Sequence, residues 1–119
     1  MTPAAHNPAP AWFDISTPDA DRARRFYQEL FGWPVHAIDQ TYALVGDHDG
    51  QPNGGIGQAG PGSPYVGIVM YFQVDDVDGA LACAVELGGT RVMDPVDTPF
   101  SRIATFTDPD GNLVGLLSR

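Results

Sequence analysis

Apolar and polar positions alternate over short stretches of this chain and then switch to a helical period, and the succession occurs twice. Phe13-Asp14-Ile15 alternates, as does Phe72-Gln73-Val74, and a period of two puts successive side chains on opposite faces of a strand. Each stretch runs into an acidic segment, Thr17-Pro18-Asp19-Ala20-Asp21 in the first case and Asp75-Asp76-Val77-Asp78 in the second. Pro18 suits a first helical turn, Asp19 and Asp21 complement the helix dipole, and Asp75 is placed to cap the second helix. Ala20, Ala23, Phe26, Tyr27 and Leu30 then form one apolar stripe at helical spacing, and Val77, Leu81, Ala84, Val85 and Gly88 form another. The pattern predicts helices over 22–31 and 79–87, ended by Gly32 and by Gly88-Gly89.

The two halves echo each other. A Glu-Leu pair precedes each helix stop, at Glu29-Leu30 and Glu86-Leu87, and equivalent positions lie 57 to 59 residues apart (Glu29 to Glu86, Phe13 to Phe72). A repeat of that length points to two copies of one supersecondary unit. Three further strands are expected after each helix, at 33–38, 42–45 and 54–58, then at 90–93, 103–106 and 113–117. Asp39-Gln40, Asp47-His48-Asp49-Gly50 and Asp108-Pro109-Asp110-Gly111 supply turns. Ala59-Gly60-Pro61-Gly62-Ser63-Pro64 is too rich in glycine and proline for regular structure and reads as a linker. The expected organisation is an α+β chain: a loose arm over 1–10, then one domain over 11–119. That domain divides into a β-α-β-β-β module at 11–58, a linker at 59–66 and a second module at 67–119.

Composition narrows the classes. A length of 119 residues fits one domain, and 43% hydrophobic residues is too apolar for a disordered chain. No apolar run reaches the roughly 20 residues of a membrane span, and the arm lacks the basic and apolar regions of a signal peptide. Fifteen acids against six arginines give a formal net charge of −9. That field repels phosphate backbones, so nucleic acid is not an expected partner, whereas a cationic small molecule would be drawn in. The single cysteine, Cys83, forms no internal disulfide and reads as a small buried hydrophobe, consistent with a reducing, cytoplasmic setting.

Familiar catalytic patterns fail on inspection. Gly54-Gly55-Ile56-Gly57 fits neither a dinucleotide fingerprint nor a phosphate loop. Ser63 and Ser101 have no histidine nearby in sequence to activate them. His6, His36 and His48 lie in the arm, on a predicted strand and in a turn, without a common spacing around one ion.

Three strings carry a resemblance to a known family: Arg25-Phe26-Tyr27-Gln28-Glu29-Leu30-Phe31-Gly32-Trp33, Tyr71-Phe72-Gln73-Val74-Asp75-Asp76-Val77-Asp78 and Phe106-Thr107-Asp108-Pro109-Asp110-Gly111-Asn112. In this order they resemble the vicinal-oxygen-chelate superfamily of glyoxalases, bleomycin-resistance proteins and dioxygenases, over about residues 11–117. The resemblance implies paired β-α-β-β-β modules whose curved mixed sheets enclose a cleft, within a homodimer. It also implies, for the enzymes, a divalent metal on His, Gln or Glu ligands that chelates neighbouring substrate oxygens. The two ligand histidines fall at Trp12 and Tyr71, the last glutamate at Gly115, and the remaining glutamate near Asn53-Gly54-Gly55, where there is no carboxylate. Indole, phenol and hydrogen cannot hold such an ion, so neither a metal nor another cofactor is expected.

Alternation along the strands places Phe13 and Ile15 under the first helix and turns Trp12, Asp14 and Ser16 into the cleft. Phe72 and Val74 likewise pack under the second helix while Tyr71 and Gln73 face the cleft. Val114 and Leu116 pack inward, leaving Leu113, Gly115 and Leu117 on the concave side. Aromatic walls with a few polar groups suit a flat organic ligand. The expected ligand-binding set is Trp12, Asp14, Tyr71, Gln73, Tyr42, Phe100, Arg102, Leu113 and Gly115, with Trp33 as a possible rim residue. The expected function is metal-free binding of an aromatic or hydrophobic, antibiotic-like small molecule, of the kind that confers drug resistance by sequestration. Two alternatives stand beside it. One is a lyase, isomerase or dioxygenase, with relocated metal ligands or with Asp14 as general base. The other is a degenerate copy that serves as a partner-binding subunit. Trp12 and Tyr71 have a purely structural alternative as plugs that fill the cleft.

Overall fold

Each strand-to-helix transition is set by an aspartate. Asp19 accepts a hydrogen bond from Arg22 N at 3.1 Å, and Asp76 accepts one from Gly79 N at 3.0 Å. Each carboxylate thereby satisfies one of the orphan donors of a helix N-terminus and complements its dipole. The structure, a computed structural model, describes residues 7–63 and 65–119. Most of the expected arm, including His6, lies outside the described residues, as does Pro64 of the linker. The described chain comprises eight strands and two helices, an α+β architecture.

Two compact units divide the described chain, Trp12–Ile68 and Val69–Arg119, the latter grouped with the described residues before Trp12. The first module contains β1 (Pro10–Thr17), α1 (Ala20–Phe31), β2 (Val35–Ala37), β3 (Tyr42–Val45) and β4 (Gly54–Gln58). Its strands lie in the order β2-β3-β4-β1. β1 runs parallel to β4, which requires the crossover that α1 supplies, and the other pairs are antiparallel. The second module repeats this with β5 (Gly67–Gln73), α2 (Val77–Glu86), β6 (Thr90–Asp97), β7 (Arg102–Thr107) and β8 (Leu113–Ser118). Here the order is β6-β7-β8-β5, with β5 parallel to β8.

The helices differ from their predicted spans in physically simple ways. Pro18 precedes the Asp19 cap and lies outside α1, and Asp76 rather than Asp75 caps α2. Gly32 closes α1 in the left-handed conformation with φ 68°. Only part of each apolar stripe is used. Ala20, Ala23 and Tyr27 pack inward, whereas Phe26 and Leu30 are exposed, as is Val85 on α2. β6 does not stop at Met93. Its register with β7 shifts between Met93 and Val96, where Pro95 cannot donate to a ladder, and pairing then resumes to Asp97.

Each module packs its helix on one face of its own sheet. In the first, Ile15, Val45 and Ile56 form the buried centre, with Phe13, Ala23, Tyr27, Trp33 and Val35 against them. Trp33 stacks on Phe13 at 5.1 Å and on Tyr27 at 5.4 Å between ring centroids, so it belongs to this core and not to a binding face. In the second, Val74, Val77, Ala80, Leu81, Ala104 and Leu116 form the centre, with Phe106 against them. Of the side chains that alternation assigned to the helix side, these clusters hold Phe13, Ile15, Val74 and Leu116, while Phe72 and Val114 are half-buried outside them. The chain also buries Thr105 completely, with no hydrogen-bond partner for its hydroxyl. An unpaired buried hydroxyl costs about 1–3 kcal/mol. Thr105→Val is therefore expected to raise stability by about 1 kcal/mol, read as a higher denaturant midpoint at unchanged slope; a lower midpoint would show that the hydroxyl makes a needed contact.

Candidate functional site

The first module's second face, turned away from α1, can be built row by row from strand register. Asp14 pairs with Gly55, Gly55 with Leu44, and Leu44 with His36, so these four positions share a face across β1, β4, β3 and β2. Ser16 pairs with Gly57, and Gly57 with Tyr42, in a second row on the same face. Trp12, two residues before Asp14 on β1, belongs to this face as well. The helix-side rows carry Phe13, Gly54, Val45 and Val35, then Ile15, Ile56, Ala43 and Ala37.

Gly55 and Gly57 leave this face without side chains along β4, and Tyr42 lies down over them. A Cβ added to Gly55 would sit 1.8 Å from the Tyr42 hydroxyl oxygen and 2.3 Å from its ring. That close approach is why the position is glycine. It lets the Tyr42 hydroxyl donate to Asp14 Oδ1 at 3.0 Å. A second phenol, that of Tyr65, donates to the other carboxylate oxygen of Asp14. Tyr65 follows the linker, so the returning chain completes the cluster. The start of β3 is fixed separately by Asp39, which accepts from Thr41 N, the Thr41 hydroxyl and Tyr42 N at 2.7–2.9 Å. Those bonds hold the Asp39 carboxyl below its ordinary pKa.

Asp14 is partly buried, and burial raises its pKa above 3.8, while the bonds from Tyr65 and Tyr42 pull the other way. Among the described residues no basic side chain pairs with it. A desolvated carboxylate steadied by two phenols can accept a further donor from a ligand, or take up a proton more readily than an ordinary aspartate.

The second module carries the remaining expected residues. The helix caps Asp19 and Asp76 stand 57 residues apart (76 − 19). The same offset makes Val69 the counterpart of Trp12, and Tyr71 the counterpart of Asp14. Strand pairing agrees: Tyr71 pairs with Gly115 as Asp14 pairs with Gly55. The Phe13–Phe72 equivalence read from the sequence is two residues off, although the faces are unaffected because both offsets are odd. The Tyr71 ring covers Gly115 so closely that an added Cβ would meet it at 2.4 Å, and Tyr71 is 5% exposed. Gln73 is exposed, Leu113 half-buried and Leu117 buried on that face. Phe100 stands 70% exposed in the β6–β7 turn. Arg102 is held in an ionic fork, to Asp78 at 2.9 and 3.0 Å and to Asp97 at 2.9 Å, linking β7 to α2 and to β6. Sequence reasoning missed Tyr65, whose only signal was a lone aromatic beside a glycine- and proline-rich stretch.

The divalent metal implied by the resemblance does not suit these residues. The aligned positions offer the indole of Trp12, the isopropyl group of Val69 or the covered phenol of Tyr71, the hydrogen of Gly115, and at best the Asn53 amide. Such an ion needs about three nitrogen, sulfur or oxygen donors. Among the described residues no three of His, Cys, Asp and Glu converge.

A model of the "Glyoxalase/Bleomycin resistance protein/Dioxygenase superfamily" matches residues 9–116. The chain is 31% identical over 121 residues to the anthracycline biosynthesis protein DnrV of Streptomyces peucetius, covering 87% of this chain and 44% of that protein. It is 27% identical over 120 residues to a glyoxylase-like domain-containing protein of Didymella fabae, covering 89% and 90%. The chain thus spans less than half the length of the streptomycete relative and nearly all of the fungal one. An extradiol ring-cleaving dioxygenase from B. fuscum superposes with a TM-score of 0.72 at 21% identity, over 98% of this chain and 34% of that one. At that identity the likeness is one of fold.

Two outcomes test this geometry. Gly55→Ala is expected to push Tyr42 off Asp14 and destabilise the chain by about 1–3 kcal/mol, with the Tyr42 hydroxyl losing its protection in NMR; an unmoved Tyr42 would contradict the packing. Asp14→Asn bears on pH. Because the folded pKa is raised, protonated Asp14 contributes stability that is fully present below 3.8 and lost as pH rises through the folded value. The variant is therefore expected to melt above the wild type at neutral pH, with the gap closing as pH falls toward 3.8. A gap that widens on acidification would reverse the assignment.

Proposed function

This chain belongs to the Glyoxalase/Bleomycin resistance protein/Dioxygenase superfamily, and since no three His, Cys, Asp or Glu side chains converge among its described residues, we propose that it binds and sequesters a small aromatic molecule on the first module. The observation that carries the proposal is the Asp14–Tyr42–Tyr65 cluster laid over Gly55, with Trp12 beside it on β1. Indole and phenol rings provide flat apolar area for a planar ligand, and the carboxylate provides one strong acceptor for its hydroxyl or amine. A formal net charge of −9 favours neutral or cationic ligands over anions. The likeness to an anthracycline biosynthesis protein supports a polycyclic aromatic ligand of that chemical type.

The raised pKa of Asp14 favours one second reading, in which the carboxylate acts as a general base on the bound molecule. Titration with an anthracycline, followed by Trp fluorescence, tests the first. Saturable quenching is expected, unaffected by a chelator, and weakened roughly three- to tenfold by Trp12→Ala. Asp14→Asn distinguishes the two readings. Binding survives at reduced affinity in both, but conversion of the ligand, followed by chromatography, is seen in the wild type and lost in the variant only if Asp14 is a base. Absence of any quenching would end the proposal.

A further inference from the structure

The row that holds Asp14 does not end at the aromatic cluster. It continues through Gly55 and Leu44 to His36, three inter-strand steps of about 4.8 Å, roughly 14 Å in all. At its far end is a pocket of about 260 Å³, with Pro34, Leu44 and Pro52 as apolar walls and His36, Asp47 and Gln51 as polar groups. Pockets that take whole drug-sized ligands run to about 300–1,000 Å³, so this one is sized for part of a molecule.

A second feature adjoins it. The side-chain oxygen of Asn53 is buried without a hydrogen-bond partner. It lies over Gly46, which also lines the pocket, 1.9 Å from where a Cβ on that glycine would be. Unpaired buried acceptors are uncommon and ask for a donor. The loop that carries Asp47 and Gln51 is itself firmly built. Asp49 and Gly50 both take positive φ, 53° and 82°, the signature of a tight primed turn. His48 and Gln51 close it with hydrogen bonds of 2.7 and 3.1 Å, and Asp47 accepts from Gly50 N at 2.8 Å.

We propose that the pocket beside His36 is a subsite for a hydroxylated saturated ring, a sugar, carried by the aromatic ligand whose planar body lies at Asp14. The inference rests on the proposed function and deepens it. Apolar walls receive the C–H face of such a ring, while Asp47, Gln51 and His36 offer acceptors for its hydroxyls. Acid groups on the ring are disfavoured by Asp47 and by the chain's net charge. The 14 Å row makes the two ends reachable by one elongated molecule.

The test compares an anthracycline glycoside with its own aglycone, by calorimetric titration against the full chain. Wild type is expected to bind the glycoside about tenfold more tightly, the worth of one or two net hydrogen bonds. His36 and Gln51 are both exposed, so His36→Ala/Gln51→Ala is expected to leave the fold intact by circular dichroism. In that variant glycoside affinity falls to the aglycone's value, while aglycone affinity stays that of the wild type. Equal affinities in the wild type overturn the subsite while leaving the proposed function standing. A glycoside preference that survives in the double variant also overturns it, because the sugar then binds elsewhere. If neither molecule binds, the failure is that of the proposed function itself.

Discussion

The first module's face opposite α1 depends on a steric vacancy at Gly55. Strand pleating gives β4 one row under α1 and one row opposite, and on the opposite row Gly55 and Gly57 have no side chains. A tyrosine ring can therefore lie across the sheet instead of standing up from it. Its hydroxyl then reaches a carboxylate two strands away, with the phenol of Tyr65 on the other oxygen. A methyl group at position 55 would lift the ring, part the pair and leave a desolvated carboxylate with one partner. Orientation, electrostatics and the flatness of the face all follow from that one absence of a side chain.

The second module solves the same pleat differently. There too a tyrosine covers a glycine, but Tyr71 comes from β5, the parallel neighbour of the glycine's strand, whereas Tyr42 comes from the antiparallel one, and Tyr71 stands where the first module has Asp14. The row continues to Thr105, whose hydroxyl is buried without a partner. One module thus presents a steadied carboxylate, and the other fills the equivalent position with a buried ring that covers Gly115. The repeat preserves strand order and helix caps while the chemistry of the second face has diverged.

Much of this architecture was legible in the sequence because it is local. Helix starts follow from acids after a strand, β4 over Gly54–Gln58 from its place as the third short strand after the helix, and the turn at Asp47 to Gly50 from residues that favour turns. The faces of Asp14 and Phe13 followed from a period of two alone. What was not legible is long-range. The helical stripe of α1 does not say which of its flanks the sheet will take. Trp33, stacked on Phe13 and Tyr27, supports the Ala23–Tyr27 side and leaves Phe26 and Leu30 in solvent. Tyr65 is invisible for the same reason, since nothing near it in sequence says that the linker returns to Asp14. The two-residue error in matching the halves arose because strand residues were aligned by type, whereas the caps at Asp19 and Asp76 fix the offset.

The proposed site is carried by the Asp14 carboxylate with the phenols of Tyr42 and Tyr65, and among the described residues no three His, Cys, Asp or Glu side chains converge to hold an ion. The most direct measurement is elemental analysis by plasma mass spectrometry of the full chain, purified without chelator or histidine tag and then dialysed against manganese, iron, nickel and zinc in turn. Only trace metal is expected after each dialysis. Near-stoichiometric retention of any one of them, abolished by substitution at Asp14 or Asn53, would contradict that expectation and return the chain to metal-dependent chemistry.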